Sequence, residues 1–464
     1  MKVFEPKLLT CFKGYTKKQL VSDVVAGIIV AIIALPLSIA LAIASNVAPE
    51  KGLYTAIVAG FIISLLGGSR VNISGPTAAF ATIVAGIVAD KGLDGLTIAT
   101  LMAGLMLIIM GVCKLGTLIK YVPKTITVGF TGGIAVTIVI GQLKDFLGIT
   151  FPENFNPVES IEKLHGIISN ISTFEILALV VGVVSLAILI IWPKISKKIP
   201  GSLIVVLIGG VLFAVLRSLS VEIPVKTIGD LYKLNSGLPP FSFPKLNFQL
   251  ILELFPDALT IAILAGIESL LSCVVSDGMI NDTHNPNTEL IAQGLGNLGS
   301  GLFGGIPATG AIARTAANVR NGGRTPISGI VHAVVLLLVL IVLMPYAADI
   351  PMPVIASILF IVAYNMSEWR SFVKIFKSKD IADDIILIAT FILTIVYDLV
   401  VAIVVGLILH FIIVTVKKIK NSKKQVEKTT SNTNEIESYV DVSVVDEVVI
   451  SDIVESVDVS NDKN

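Results

Sequence analysis

Charge is scarce in this 464-residue chain: Asp, Glu, Lys and Arg together make up 15% of it, against 54% hydrophobic residues, and mean hydropathy reaches +0.89. Soluble globular domains carry about 25% charged residues, so a water-solvated core is excluded. Cysteine is limited to Cys11, Cys113 and Cys273, widely separated and without a CxxC pair, which excludes a disulfide framework or a thiolate metal cluster. Aromatic residues amount to only 6%. There is no HExxH helix, no Cys/His cluster, no GxSxG elbow and no P-loop, so hydrolytic enzymes and ATP-driven pumps find no machinery here. No metal, cofactor or nucleic-acid partner is expected, and the chain does not read as an enzyme.

Apolar runs of bilayer length, each needing about 20 residues, fill the sequence instead. Spans are expected near 22–45, 53–68, 73–90, 96–113, 123–142, 174–192 and 201–217, then near 254–275, 288–303, 306–320, 326–344, 351–364, 382–397 and 399–416. The abundant glycine, 38 residues, suits helices that approach backbone to backbone in lipid. The first run, Val21 to Ser45, is longer than the ~7 to 15 residues of a signal-peptide core and contains Gly27 and Pro36, so it reads as a packed span.

Lys and Arg collect in every second loop, as the positive-inside rule requires. Lys13, Lys17 and Lys18 precede the first span, Lys114, Lys120 and Lys124 follow the fourth, and Lys194, Lys197 and Lys198 follow the sixth. Arg314, Arg320 and Arg324 come at the tenth, Arg370, Lys374, Lys377 and Lys379 after the twelfth, and Lys417, Lys418, Lys420, Lys423 and Lys424 after the last. Both termini are expected in the cytoplasm, with the inner cell membrane as the location. The expected division is a cytoplasmic segment 1–21, a first membrane repeat 22–217, an extracytoplasmic connector 218–253, a second membrane repeat 254–416 and a short acidic tail 417–464.

Two matched interruptions support the repeat. One is Gly67-Gly68 followed by Ser74-Gly75-Pro76-Thr77-Ala78-Ala79; the other is Gly304-Gly305-Ile306-Pro307-Ala308-Thr309-Gly310-Ala311. They fall seven spans apart, and an odd repeat must be inverted in the membrane relative to its twin, as in many secondary transporters. The fold class expected is therefore an all-α polytopic membrane protein of about fourteen transmembrane segments in two inverted seven-segment repeats. At Gly75, Pro76 and Pro307 the helices break, and half-helices starting inside the membrane present unpaired N–H groups. Two such positive ends form a cradle for an anion. Thr77, Ala78, Ala79, Thr309, Gly310 and Ala311 are the candidate substrate-binding residues, small enough for close approach. The plainer reading, kinks in packed helices, fits either break alone but not their symmetry.

These residues carry a resemblance. Asp23-Val-Val-Ala-Gly27, Ala34-Leu-Pro36-Leu-Ser38, Gly52-Leu-Tyr54, the first break, Ile267-Glu268-Ser269-Leu-Leu-Ser272, Gly305 to Thr315, Gly322-Gly323-Arg324-Thr325-Pro326 and Asn365-Met366-Ser367-Glu368-Trp369 look like the SulP family of sulfate permeases and related anion transporters. The resemblance implies a uracil-permease-like architecture in which a core domain carries substrate between the third and tenth spans and moves against a gate domain that often forms a homodimer. It implies transport of sulfate, bicarbonate or dicarboxylate. Family members usually end in a STAS domain of roughly a hundred residues, the common domain scale. Residues 421–464 are too few for one and read as acidic and disordered. Leu37 stands where many animal relatives carry glutamine.

Glu268 lies deep in the eighth span, where a carboxylate costs about 2.5–3.5 kcal/mol on insertion scales. It reads as a proton-coupling group, the alternatives being an ion pair with Arg314 or a permanently protonated acid. Ser272 shares its helical face. In a bicarbonate-transporting branch of the family, an acid and a hydroxyl at these positions help hold sodium with oxygens of the tenth span. Ile312 removes one of those oxygens, favouring protons over sodium. Arg314, one turn after the second half-helix start, is a candidate anion ligand or a topogenic charge. An uncoupled channel and a nucleobase permease remain the alternative functions.

Overall fold

The computed structural model describes residues 4–416, apart from 13, 118–122, 153–154, 156, 158, 197–198, 246, 379, 398–400 and 414. The acidic tail 417–464 and the charges Lys13, Lys120, Lys197, Lys198 and Lys379 lie outside the described residues. Two units are distinguished, Met1–Gly406 and Leu407–Asn464, and everything below belongs to the first apart from the end of the last helix, residues 407–413.

A short helix α1 (Lys7–Cys11) precedes α2 (Lys17–Ala44), which Thr16 caps by accepting a 3.2 Å hydrogen bond from the Gln19 N–H. Pro36 sits inside α2 without ending it, a lapse in the hydrogen-bond ladder that neighbouring membrane helices can absorb. After α3 (Pro49–Leu66) the backbone leaves the helical state for a two-residue strand, β1 (Ser74–Gly75), then a 3-10 turn Ala78–Phe80 leads into α4 (Ala81–Val112). Gly92, at φ 67°, breaks α4 into two limbs. Next come α5 (Lys124–Leu147), closed by a left-handed Gly148, then α6 (Ser160–Ser169), α7 (Ile176–Ile195), α8 (Gly201–Ser218), α9 (Ile228–Leu231) and α10 (Phe248–Glu253).

The second half begins with α11 (Phe255–Ile280) and α12 (Pro286–Leu302), the latter capped by Asn285, which accepts from the N–H groups of Asn287 and Thr288. Then the pattern of the first half recurs: β2 (Thr309–Gly310) is followed by the half-helix α13 (Ile312–Arg320). The remaining helices are α14 (Ile327–Leu343), α15 (Met352–Met366), α16 (Trp369–Phe376), α17 (Ile381–Val396) and α18 (Val401–Ile413).

Among the described residues nine helical stretches are long and apolar enough to cross a membrane. The two limbs of α4 and the shorter α12, α13, α17 and α18 supply the rest of the expected series. The largest differences from the expected bounds are at the third and tenth helices, which start only at Ala81 and Ile312 because the non-helical stretches carrying β1 and β2 precede them; α2 also starts early, at Lys17. The strands are the one departure from an all-helical reading.

Helices α2, α3, α4, α11, α12, α13 and α14 pack on one another, while α5, α7, α15 and α17 form a second group. Small residues set the closeness of the first group. A Cβ on Gly104 would stand 2.8 Å from the Gly294 carbonyl oxygen, and one on Gly294 2.5 Å from that of Gly104, so α4 and α12 touch backbone to backbone. By contrast, the apolar windows of α7 and α8 are only 22% and 17% buried, which a hydrocarbon solvent tolerates.

Candidate functional site

The two breaks meet in the interior. β1 pairs antiparallel with β2, Ser74 opposite Gly310 and Gly75 opposite Thr309, and the Ala311 N–H continues the contact to the Ile73 carbonyl at 2.8 Å. Antiparallel pairing is what a two-fold relation between inverted halves produces. Buried side chains of both halves fix the approach to β2: Asn297 on α12 accepts from the Ala308 N–H (2.9 Å) and donates to its carbonyl (2.9 Å), while Thr55 on α3 accepts from the Ile306 N–H (2.7 Å). Every polar group of this unwound backbone needs a partner in a membrane interior, and these amides and hydroxyls provide them.

Thr77 is half-buried and donates a 2.9 Å hydrogen bond to Glu268 Oε2. Beside it, Arg314 is 2% exposed and donates through Nη2 to the Pro76 carbonyl, while its Nε and Nη1 have no partner. Among the described residues no carboxylate forms a salt bridge with Arg314, so the ion pair with Glu268 weighed from the sequence is not formed. Glu268 and Arg314 instead flank the same Pro76–Thr77 stretch. Gly75 is the residue that admits the guanidinium, since a Cβ there would stand 2.6 Å from Nη1.

The other candidates divide. Ala78, Ala79 and Pro307 are buried around the half-helix starts, and Ala311 is half-buried at the beginning of α13. Thr309 is buried and donates to the Ala265 carbonyl at 2.7 Å. Gly310 faces Asn72 rather than open space, with a Cβ there lying 2.6 Å from Asn72 Nδ2. Ser272 donates to Asn72 Oδ1 (2.8 Å) and lies 3.1 Å from Thr315 Oγ1, so its hydroxyl joins a buried network and not Glu268.

That network centres on Glu289, a residue not singled out from the sequence. Fully buried, its carboxylate accepts from the Gly68 N–H (2.9 Å), the Ser69 N–H (3.2 Å), Asn72 Nδ2 (2.7 Å), Ser269 Oγ (3.1 Å) and Gln293 Nε2 (3.0 Å). Five donors and no cation make it a structural anchor joining the loop after α3 to α11 and α12. The signal available was the spacing Glu289, Gln293, Asn297: a polar stripe at every fourth residue of a membrane helix.

A second joint explains two of the quoted motifs together. Asp23, fully buried, accepts from the Arg324 N–H (2.7 Å), the Thr325 N–H (3.2 Å), Thr325 Oγ1 (2.7 Å), Tyr15 Oη (2.9 Å) and Gln19 Nε2 (3.3 Å). It clamps the turn before α14 to α2.

Known proteins resemble this chain in sequence and fold. The sequence model described as the sulfate permease family matches residues 20–390. The Bacillus subtilis (strain 168) protein YvdB, whose name assigns it provisionally to sulfate transport, is 46% identical over 406 residues, covering 86% of this chain and 74% of its own. The bicarbonate transporter BicA of Picosynechococcus sp. (strain ATCC 27264 / PCC 7002 / PR-6) is 34% identical over 433 residues, 90% of this chain and 74% of that one. Among solved structures, the transmembrane domain of a cyanobacterial bicarbonate transporter BicA superposes with a TM-score of 0.74 at 32% identity, over 84% of this chain and 98% of that one. The murine solute carrier 26 family member A9 anion transporter, in its inward-facing state, gives 0.79 at 17% identity, over 88% and 71%, and shares the fold.

Proposed function

The chain belongs to the sulfate permease family, and from that premise we propose that it is a secondary active carrier of small anions, coupling their uptake to protons by alternating access. The observation that carries this reading is Arg314: a buried guanidinium with two unpartnered donors, set against two half-helix starts, in a protein solvated by lipid. A buried guanidinium with unmet donors is costly, and an anion delivered to Nε and Nη1 supplies the missing hydrogen bonds.

Charge balance then gives the coupling. With Glu268 ionised, the Glu268–Arg314 site is neutral and a monovalent anion would leave it with net negative charge inside the membrane. A proton on Glu268 restores neutrality, so proton and anion favour each other's binding, which is the requirement for symport. Sodium has less to hold it here: Ser272 is engaged with Asn72 and Thr315, and Ile312 brings no oxygen. Sulfate, bicarbonate and dicarboxylate are the candidate cargoes, the first two being named for the relatives above.

The same reading places the termini in the cytoplasm, the protein in the inner membrane, repeats at 22–217 and 254–416, the connector 218–253 outside, and the second packing group as the gate through which a homodimer would form. Uptake of labelled sulfate, bicarbonate and a dicarboxylate into proteoliposomes, with proton and sodium gradients imposed separately, tests it. Accumulation driven by an inward proton gradient is expected. Purely ohmic flux, or dependence on sodium alone, overturns it.

A further inference from the structure

A chamber of about 740 Å³ lies away from the Arg314 site, between the end of α2, the outer part of the first limb of α4, the last turns of α5, and α6 and α9. Its position is not incidental to the carrier. Ala85 lines it, four residues or about 6 Å along the half-helix from Ala81, the residue that follows the Thr77–Phe80 start. The chamber therefore sits over the half-helix whose beginning forms the anion site, on the side of the 144–173 segment.

Its polar lining has a definite chemistry. Lys144 is turned onto the Phe151 ring, 4.9 Å from the centroid. Lys163 on α6 is half-buried and, among the described residues, makes no hydrogen bond or salt bridge; burial holds its pKa below the ordinary lysine value. An ammonium that has lost water and gained no partner is a ready anion ligand. Tyr232 supplies a hydroxyl that keeps its proton, because burial first and the Asp145 charge second push it up to about 12. Acceptors share the lining with these donors, the Asp90 carboxylate and the Asn46 amide among them. Gln142 is 5% exposed with Oε1 unpartnered, and Asp145 lines the same wall.

Donors and acceptors together fit an anion that both accepts and donates. Fully deprotonated sulfate offers only acceptor oxygens, so Asp145 and the Gln142 oxygen would repel it or stay unsatisfied. Hydrogencarbonate or hydrogenphosphate presents oxygens to Lys163 and Tyr232 and its own O–H to Asp145 or Gln142. We propose that this chamber is a loading site, separate from the Arg314 site, that holds a small oxyanion bearing its own proton and thereby favours such anions on the outer face. The proposal rests on the carrier reading above and adds to it a second site and a basis for selectivity.

Uptake into right-side-out and inside-out membrane vesicles containing the full chain, with labelled bicarbonate and labelled sulfate as probes, tests the proposal. Lys163→Ala is expected to raise KM for bicarbonate about tenfold from the outer face and leave KM from the inner face unchanged, with Lys163→Arg close to the parent. Asp145→Asn is expected to narrow the preference for bicarbonate over sulfate at the outer face. Equal KM changes on both faces, no change in Lys163→Ala, or an unaltered preference in Asp145→Asn overturns the proposal. A parent protein that moves neither anion defeats the carrier reading itself, which separates the two failures.

Discussion

Thr77 and Glu268 share a 2.9 Å hydrogen bond although 191 residues separate them, one at the start of a half-helix in the first repeat and the other midway along α11 in the second. The bond sets the Glu268 carboxylate next to the Pro76–Thr77 backbone where the anion is proposed to bind, and the first prediction follows from it.

Glu268→Gln keeps the shape and the Thr77 contact but can no longer gain or lose a proton. Uptake should persist at a reduced rate and lose its stimulation by an inward proton gradient. Proteoliposome uptake at several imposed pH differences is the measurement, and a variant as proton-sensitive as the parent would remove Glu268 from the coupling.

Arg314→Ala should raise KM for the transported anion by about ten- to a hundredfold, the range of a charge-assisted hydrogen bond of roughly 1.5–3 kcal/mol. Arg314→Lys should recover only part of this, since a point charge on a shorter reach cannot donate from two nitrogens in one plane. Initial rates against anion concentration, with expression matched, decide it.

Thr77→Leu and Gly310→Ala should fail in different ways. Thr77 is half-exposed at the site, so leucine there should weaken anion affinity and leave the folded protein intact. A methyl on Gly310 would press on Asn72 Nδ2 and disturb the Glu289 network, costing about 1–3 kcal/mol of stability as overpacking does. Thermal unfolding in detergent alongside substrate affinity separates the two; equal loss of stability in both variants would contradict the assignment.

Asp23→Ala strips the partner from the Arg324 and Thr325 N–H groups and the Thr325 hydroxyl, all in the joint between α2 and α14. Each donor left unsatisfied costs about 1–3 kcal/mol. A lower thermal midpoint is expected, with KM unchanged in whatever fraction stays folded.

Asp230 gives an acid-side prediction outside the membrane spans. Burial alone would raise its pKa, but hydrogen bonds from the Thr227 N–H and hydroxyl at 2.8 Å, and the Arg217 guanidinium at 2.8 Å, outweigh it and hold the carboxyl below its usual value. Its contribution is thus complete above the unfolded value near about 3.9 and lost as pH falls through the lower folded value. Asp230→Asn should flatten that part of the stability curve, measured as thermal midpoint against pH below about 4.5.

What could be read in advance, and what could not, follows from the range of each signal. Apolar runs and alternating Lys/Arg loops are local, so the series of spans emerged from them, as did the breaks at Pro76 and Pro307. The strand pair did not: two residues have no periodicity, and the partner of Gly75 lies in the other half of the chain. Spacing sets Ser272 on the face of Glu268, yet its hydroxyl is engaged by Asn72, which no single-helix argument can foresee. Glu289 lies in a helix that apolarity alone marks as a span, and only its polar stripe with Gln293 and Asn297 carries the signal.

The pairing of Ser74–Gly75 with Thr309–Gly310 has a mechanical consequence. Half-helices belonging to opposite repeats are yoked through their backbones, so in the proposed carrier cycle they advance together and the anion's coordination shell would travel as a single cargo frame. On that proposal the ligand need not be re-coordinated midway. Directional preference would then come from surfaces the frame passes, and the lysine-bearing chamber beside α4 is the one proposed.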